Sequence, residues 1–184
     1  MLPTNTSGGI GGGGNFFKAS AGNNKILILG EAIEAYQYWT DQMRPVVQRE
    51  KFEEPLPSDA RQNEKRDKDG NVVVGADGKP EMVAARQQYF WVMPIYNFTT
   101  KSVEVWQVTQ KGIRDELVAI QSNEDWGSPV GSYSITIHKE GEMLKTKYKV
   151  TPNPINDKNK KEIDEIMGEY KTNPLDVEAI VFKD

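Results

Sequence analysis

The chain of 184 residues contains no cysteine and a single histidine, His138. The lack of cysteine excludes disulfide bonds and thiolate chemistry, and it is typical of proteins in a reducing compartment. Apolar runs are short as well: the stretch 25–39 is too short to span a bilayer, and no signal-peptide pattern is present. The sequence therefore predicts a soluble intracellular protein with no membrane partner.

Positive charge is also scarce, because 23 basic residues are outnumbered by 27 acidic ones and the formal net charge is −4. Nucleic-acid-binding proteins usually carry a basic footprint, so any DNA site on this chain must be a local patch. Residues 153–184 hold five lysines and eight acidic residues, which makes the C-terminal region the most acidic part. An acidic tail can compete with DNA for a basic patch or contact partner proteins.

A catalytic constellation is missing too. His138 has no serine or second histidine in a suggestive context, and the alternation within 133–139 places it on the outer face of a strand. The neighbouring carboxylates Asp115 and Glu116 fit solvated helix positions better than converging metal ligands. We therefore expect no catalytic residue, no metal and no cofactor, and a protein that binds rather than catalyses.

The chain does contain, over residues 87–152, a pattern of strands around one helix. The predicted elements are, in chain order, strands over 87–98 and 102–108, a helix over 110–121, and strands over 133–139 and 143–150. The helix is indicated by Ile113, Leu117 and Ile120, which recur at helical spacing. The last two strands alternate polar and apolar residues about a turn at 140–142, which predicts a hairpin.

Upstream, the stretch 25–39 predicts a further strand that bends at Gly30, although helix competes for its second half. If it is a strand, the order becomes three strands, a helix and two strands, which is the order of an OB-fold. We therefore predict a mainly β protein: a five-stranded OB-fold-like barrel with one short helix between strands 3 and 4, a C-terminal helix and a flexible N-terminal arm.

Three regions follow from this pattern: a flexible, Gly-rich arm over 1–24, an OB-fold domain over 25–152 with a polar insertion at 41–86, and an acidic C-terminal helix and tail over 153–184. In the insertion, the turn dipeptides Asp69-Gly70 and Asp77-Gly78 predict a small hairpin. Its basic residues are either solvated or close as a flap over a bound strand: Arg61, Lys65, Arg66 and Lys68.

The C-terminal region predicts a helix over 158–170, with Ile163, Ile166 and Met167 on one side. The last ten residues mix acidic and apolar side chains. They predict either a partner-docking tip or an edge strand added to the barrel.

The layout of four segments resembles the single-stranded DNA-binding proteins of tailed phages, including the T-even phage helix-destabilising protein. The segments are FWVMPIYN, KSVEVWQV, KGIRDELVAI and SYSITIHKEGEMLKTKYKVTPNP, and the resemblance covers about half of the chain. It implies an OB-fold in the cytoplasm of an infected bacterial host, with Trp91 facing outward at the DNA cleft and Arg86 near a basic position. This chain lacks the zinc-binding cysteines of the T-even protein, and the insertion 41–86 stands in that module's place.

A single-strand binder needs aromatic faces for bases and Lys or Arg side chains for phosphates. The candidate nucleic-acid-binding residues are Tyr38, Trp39, Arg44, Arg49, Arg86, Tyr89, Trp91, Lys145, Lys147 and Lys149. The three lysines alternate with other residues, which predicts that they share one face of the last strand. The competing interpretation is core packing for each aromatic residue and an ordinary solvated face for the lysines.

The sequence therefore predicts a protein that coats and protects single-stranded DNA in phage replication, recombination or repair, without sequence specificity. The resemblance further implies self-association through an N-terminal arm carrying Phe16, Phe17 and Lys18, and the acidic tail suggests contacts with replication or recombination proteins. One alternative is a non-enzymatic structural or protein-interaction barrel. Another, weaker, is an RNA or polymerase accessory factor.

Overall fold

The structure, a computed structural model, describes residues 16–182 and divides the chain into two compact units. Of the described residues, the large unit comprises those up to Ile33 and from Trp91 onward, and the small unit comprises Glu34–Phe90. The strands are β1 Gly22–Ile28, β2 Ile33–Trp39, β3 Pro45–Gln48, β4 Gln62–Glu64, β5 Met82–Ala84, β6 Gln88–Asn97, β7 Ser102–Val108, β8 Ile135–Glu140 and β9 Lys147–Pro152. The helices are α1 Lys111–Ser122, α2 Asp157–Thr172 and α3 Val177–Val181, and a single 3-10 turn spans Met143–Lys145.

The prediction of a mainly β protein is confirmed. In the large unit an antiparallel sheet has the strand order β7-β6-β1-β8-β9, with Met93 opposite Trp106, Ile28 opposite Ile95 and Ile137 opposite Val150. The sheet is not closed, because no pairing joins β7 to β9 among the described strands.

One face of this sheet carries the main hydrophobic core. Its fully buried members alternate along the strands, as the two-residue period of a half-buried strand requires: Ile26, Ile95, Val108, Ile135 and Ile137. Helix α1 covers this face with Ile113 and Leu117, so the predicted helix is confirmed.

Helix α2 packs on the opposite face. Its residues Ile163 and Ile166 lie against Leu27, Leu29 and Tyr96 of the sheet. The predicted C-terminal helix is thus confirmed. Beyond it, the edge strand considered for the last residues is wrong: they form α3, which buries Val177 and Val181.

The described part of the segment predicted as a flexible arm, residues 16–24, packs on the sheet. Phe16 bridges Val105 on β7, and Phe17 is buried with its ring 5.9 Å from the Trp106 ring in an edge-on contact. The prediction that Phe17 docks on a neighbouring copy is therefore wrong, because its ring fills the chain's own core. Residues 1–15 lie outside the described residues.

The single strand predicted over 25–39 is two strands, β1 and β2, with Gly30 in the connection between them, and helix for its second half is wrong because residues from Ile33 form β2. The glycine lies against Pro94: a Cβ atom added to it would be 3.1 Å from the Pro94 Cγ atom. A side chain here would need the proline ring to shift.

The small unit pairs β2 with β3 and β4 with β5, and β2 lies beside the first residues of β6, where the Gln37 amide donates to the Gln88 side chain at 2.8 Å. A compact core holds it, formed by Tyr38, Leu56 and Ala60 with Phe52 packed against them. The region predicted as a polar insertion is thus part of a unit with its own core. The predicted turns at Gly70 and Gly78 form, each glycine with a positive φ.

Candidate nucleic-acid interface

The structure distributes the ten predicted site residues over both units. The small unit holds Tyr38, Trp39, Arg44, Arg49, Arg86 and Tyr89, and the large unit holds Trp91, Lys145, Lys147 and Lys149.

Trp39 is the only aromatic side chain among residues 16–182 that is exposed, with 39% of its surface accessible. It is the last residue of β2 and lies opposite Pro45 of β3. Its neighbours Tyr38 and Thr40 are buried, and the alternation of strand side chains puts the indole on the other face. An accessible indole face is what a stacking base requires.

Arg61 lies opposite Trp39 on the other side. Thr40 and Ala60 form an antiparallel bridge, and the Arg61 N–H donates to the Trp39 carbonyl at 2.7 Å. In an antiparallel pair this register puts the two side chains on the same face, with Cβ atoms roughly 5 Å apart. An exposed arginine therefore lies on the same strand face as the exposed indole. The sequence places Arg61 in the polar insertion, either solvated or in a flap, because its pairing with Trp39 leaves no local signal.

Two further predicted arginines adjoin this pair through the backbone. The Thr40 N–H donates to the Arg44 carbonyl at 2.9 Å, and the Arg44 N–H donates to the Thr40 hydroxyl at 3.1 Å, which fixes the turn after β2. Arg86 directly follows Ala85, whose N–H donates to the Arg61 carbonyl at 2.7 Å. Both arginine side chains are exposed. We use the name Trp39 surface for the four exposed residues Trp39, Arg44, Arg61 and Arg86, of which the register places Trp39 and Arg61 on one strand face.

Acidic groups border the Trp39 surface. The Asp41 N–H donates to the Asp59 carbonyl at 2.9 Å, so both exposed carboxylates lie next to the bridge that holds Trp39. The local excess of positive charge is consequently small. Arg49, the remaining predicted arginine of this unit, is exposed and directly follows β3.

The prediction that Tyr38 stacks on a base is wrong, because its ring is not accessible. Only 5% of it is exposed, its ring lies 4.9 Å from the Phe52 ring, and its hydroxyl donates to Asp59 at 3.2 Å. Burial, and then the Asp59 carboxylate, raise the pKa of the Tyr38 hydroxyl above its ordinary value. This side chain belongs to the core of the small unit.

Tyr89 is half-buried against Tyr36, with ring centroids 5.2 Å apart. Its hydroxyl donates to the Glu34 carboxylate at 2.7 Å. This carboxylate fixes the ring but repels phosphate, so the Tyr36–Tyr89 pair is a poorer phosphate-binding neighbourhood than the Trp39 surface.

The prediction that Trp91 faces outward is wrong. Trp91 lies opposite Val108, on the same face of β6 as Met93 and Ile95, and it packs half-buried against the main core. The sequence could not decide this face, because both sets of alternating residues on this strand are apolar.

The three lysines do not share a strand. Lys145 lies in the 3-10 turn, and β9 begins only at Lys147, so the predicted strand over 143–150 starts four residues too early. Lys147 and Lys149 are both exposed and do share the outer face of β9. They lie opposite Glu140 and His138 of β8.

No cluster of three or more His, Asp or Glu side chains that could hold a metal occurs in the described part of the chain. Between residues 16 and 182, no helix is both long and apolar enough to cross a membrane. Comparisons of the chain with protein-family models, curated proteins and solved structures found no match.

Proposed function

We propose that this protein binds single-stranded DNA by stacking bases on Trp39 and contacting phosphates through Arg44, Arg61 and Arg86. The observation that carries the proposal is the register that puts an exposed arginine on the same strand face as the one exposed aromatic residue among residues 16–182. Stacking is tolerant of sequence because every base has a π-face, and arginine adds both charge and planar contact. Binding is therefore independent of sequence.

The large unit supports a finer structural proposal, a variant of the OB-fold. Its strands run β1, β6, β7, then α1, then β8 and β9, with β1 between β6 and β8. This is the helix position and the strand sequence expected for that fold. In this variant α1 fills the gap between β7 and β9.

The biological setting rests on the resemblance to phage single-stranded DNA-binding proteins. We propose that the protein coats and protects single strands in phage replication, recombination or repair, in the cytoplasm of an infected host. Replication or recombination proteins are the partners that this setting implies for the acidic C-terminal region.

The first prediction concerns Trp39. Removing one stacked base contact costs about 1–3 kcal/mol, so Trp39→Ala is expected to weaken oligo-dT binding by about fivefold to hundredfold. Trp39→Phe keeps a ring and is expected to fall between this variant and the wild type. Fluorescence anisotropy of labelled oligo-dT measures the affinities.

Arg61→Ala tests the phosphate contact in the same assay. Each phosphate contact to a single strand contributes about 0.7 to the slope of log K against log salt concentration, so this variant is expected to show a shallower slope by about that amount. Lys160→Ala, which removes an exposed charge from α2, is the matched control and should bind like the wild type. Wild-type affinity in Trp39→Ala, or no binding of oligo-dT by the unaltered protein at low salt, contradicts the proposal.

A further inference from the structure

The tip of the β8–β9 hairpin presents two large apolar side chains to solvent. Met143 is 93% exposed and Leu144 is fully exposed, at 103% of the reference area. No other large apolar side chain among residues 16–182 exceeds 57% exposure. Folding normally buries such residues at least in part, and within residues 16–182 nothing covers this pair, so it has the composition of a binding surface.

The backbone holds the pair in a defined turn. The Lys145 N–H donates to the Glu142 carbonyl at 3.0 Å, and the Thr146 N–H donates to the Met143 carbonyl at 3.2 Å. At Gly141, with a φ of 77°, a Cβ atom would collide with the Lys145 carbonyl. The turn therefore depends on glycine at this position.

Met143 itself adopts a φ of 50°, in the left-handed region where glycine or asparagine is relaxed and a bulky residue is strained. Strain of this kind persists where the surrounding structure imposes it, and it is concentrated at ligand-binding positions. An apolar side chain that is both strained and exposed contributes little to folding.

The strand that follows the tip is basic. Lys145 ends the 3-10 turn, and Lys147 and Lys149 lie on the outer face of β9. None of these three ammonium groups has an ion-pair partner within the described part of the chain. The apolar pair is thus followed by three exposed lysines, which outnumber the two carboxylates of the same hairpin, Glu140 and Glu142, and complement a polyanion.

The small area of the apolar pair favours one kind of binding partner over others. A stable protein interface buries about 800 Å² on each partner, which two side chains cannot supply. Insertion into a bilayer would carry Glu142 and the open backbone of the turn into an apolar medium. A base step, in contrast, needs only one or two apolar side chains, and leucine and methionine are among the residues that proteins place against unstacked base pairs.

We propose that the β8–β9 tip recognises the junction between single-stranded and duplex DNA: Met143 and Leu144 pack against the exposed terminal base pair, and Lys145, Lys147 and Lys149 contact the adjoining phosphates. This inference rests on the proposed function, because it takes DNA as the ligand. It adds a preference for junctions that Trp39 alone does not provide.

Anisotropy with two probes tests it: a forked duplex with dT arms, and a dT strand that matches the arms in length. The wild-type protein is expected to bind the fork about tenfold more tightly. The double variant M143S/L144S is expected to lose this preference and to keep its affinity for the dT strand. Val118→Ser, which removes an apolar side chain of 50% exposure from α1, is the matched control and keeps both affinities.

Gly141→Ala is a second variant, which leaves both apolar side chains in the sequence but disturbs the turn, and it is expected to lose the fork preference as well.

Equal wild-type affinity for the two probes, or an undiminished preference in M143S/L144S, overturns junction recognition while leaving single-strand binding in place. Fork binding that depends on the tip, without binding of the dT strand, supports the junction proposal and overturns the Trp39 proposal. Vesicles of anionic lipid serve as a third probe, and tip-dependent binding to them without a fork preference overturns the DNA assignment.

Discussion

At the scale of single residues, exposure separates the tryptophans into different roles. Trp39 ends a strand opposite a proline and stays accessible, whereas Trp106 is 4% exposed and meets Phe17 edge-on. Trp91 lies between these extremes on the core face of β6. The strand period alone does not show which tryptophan is exposed, because tryptophan is enriched both in cores and at binding surfaces.

Tyr133 gives a prediction for pH. It is 1% exposed, its hydroxyl donates to the Gly127 carbonyl at 2.8 Å, and burial raises its pKa. The folded state therefore retains the phenol proton where the unfolded chain loses it. The stability contributed by the neutral phenol is complete below the ordinary pKa of about 10 and is lost as pH rises from there toward the raised folded pKa.

Tyr133→Phe is accordingly expected to lose about 1 kcal/mol at neutral pH, the usual net value of one hydrogen bond, and to lose less further stability than the wild type above pH 10. Urea denaturation at pH 7 and in the alkaline range measures both effects. Tyr148→Phe, at a half-buried position, serves as the comparison. An alkaline loss of equal size in the Tyr133→Phe and wild-type proteins would show that this phenol is not responsible.

At the scale of elements, α1 replaces a strand at the open edge of the sheet. The Glu116 carboxylate accepts from the Val150 N–H of β9 at 2.5 Å, and the Arg114 guanidinium donates to the carbonyls of Val108 and Thr109 at 3.1 and 2.7 Å. The Glu116 side chain thus accepts from the Val150 N–H, which in a closed barrel would donate to a carbonyl of the neighbouring strand. Side-chain capping lets the sheet stay open without an unpaired amide at this position.

Glu116→Ala is expected to destabilise the protein by about 1.5–3 kcal/mol, the range for hydrogen bonds to charged groups. Glu116→Gln keeps an acceptor oxygen and is expected to recover a part of this loss. Chemical denaturation measures the stability, and amide hydrogen exchange at Val150 reports the bond directly, with faster exchange expected in Glu116→Ala. Unchanged exchange at Val150 in that variant would mean that water or another group satisfies the amide.

The elements with strong periodicity could be predicted from the sequence, and those shaped by distant contacts could not. Helix α1 repeats Ile113 and Leu117 on one face, and it begins and ends within one residue of the prediction. The last strand forms, but its predicted start at Met143 was wrong, because the alternation continues into a turn that depends on Gly141 and on the backbone of Lys145. Local pattern carries no information about such a turn, nor about which residue lies opposite Trp39.

At the scale of the whole molecule, the small unit was the least predictable part. Its core contains only a few apolar residues, Tyr38, Leu56 and Ala60 with Phe52, scattered among polar neighbours. The strands β4 and β5 beyond this core are exposed at every position. A pair of short strands without a buried face is marginally stable in water, so the hairpin they form is the part of the described chain where local opening is easiest.

Limited proteolysis with trypsin tests this inference for the intact protein. Every residue from Arg61 to Gly70 is exposed, and Lys68 lies in the turn between Arg66 and Val72, which form an isolated bridge. The first cut is expected after Lys68 or Arg66, because a protease needs a segment that can open to an extended form. Mass spectrometry of early time points identifies the site.

Lys147 and Lys149 are the internal comparison, since they are also exposed but are paired in register with β8. A first cut at either of these lysines would mean that the β8–β9 hairpin opens more easily than the small unit's exposed strands.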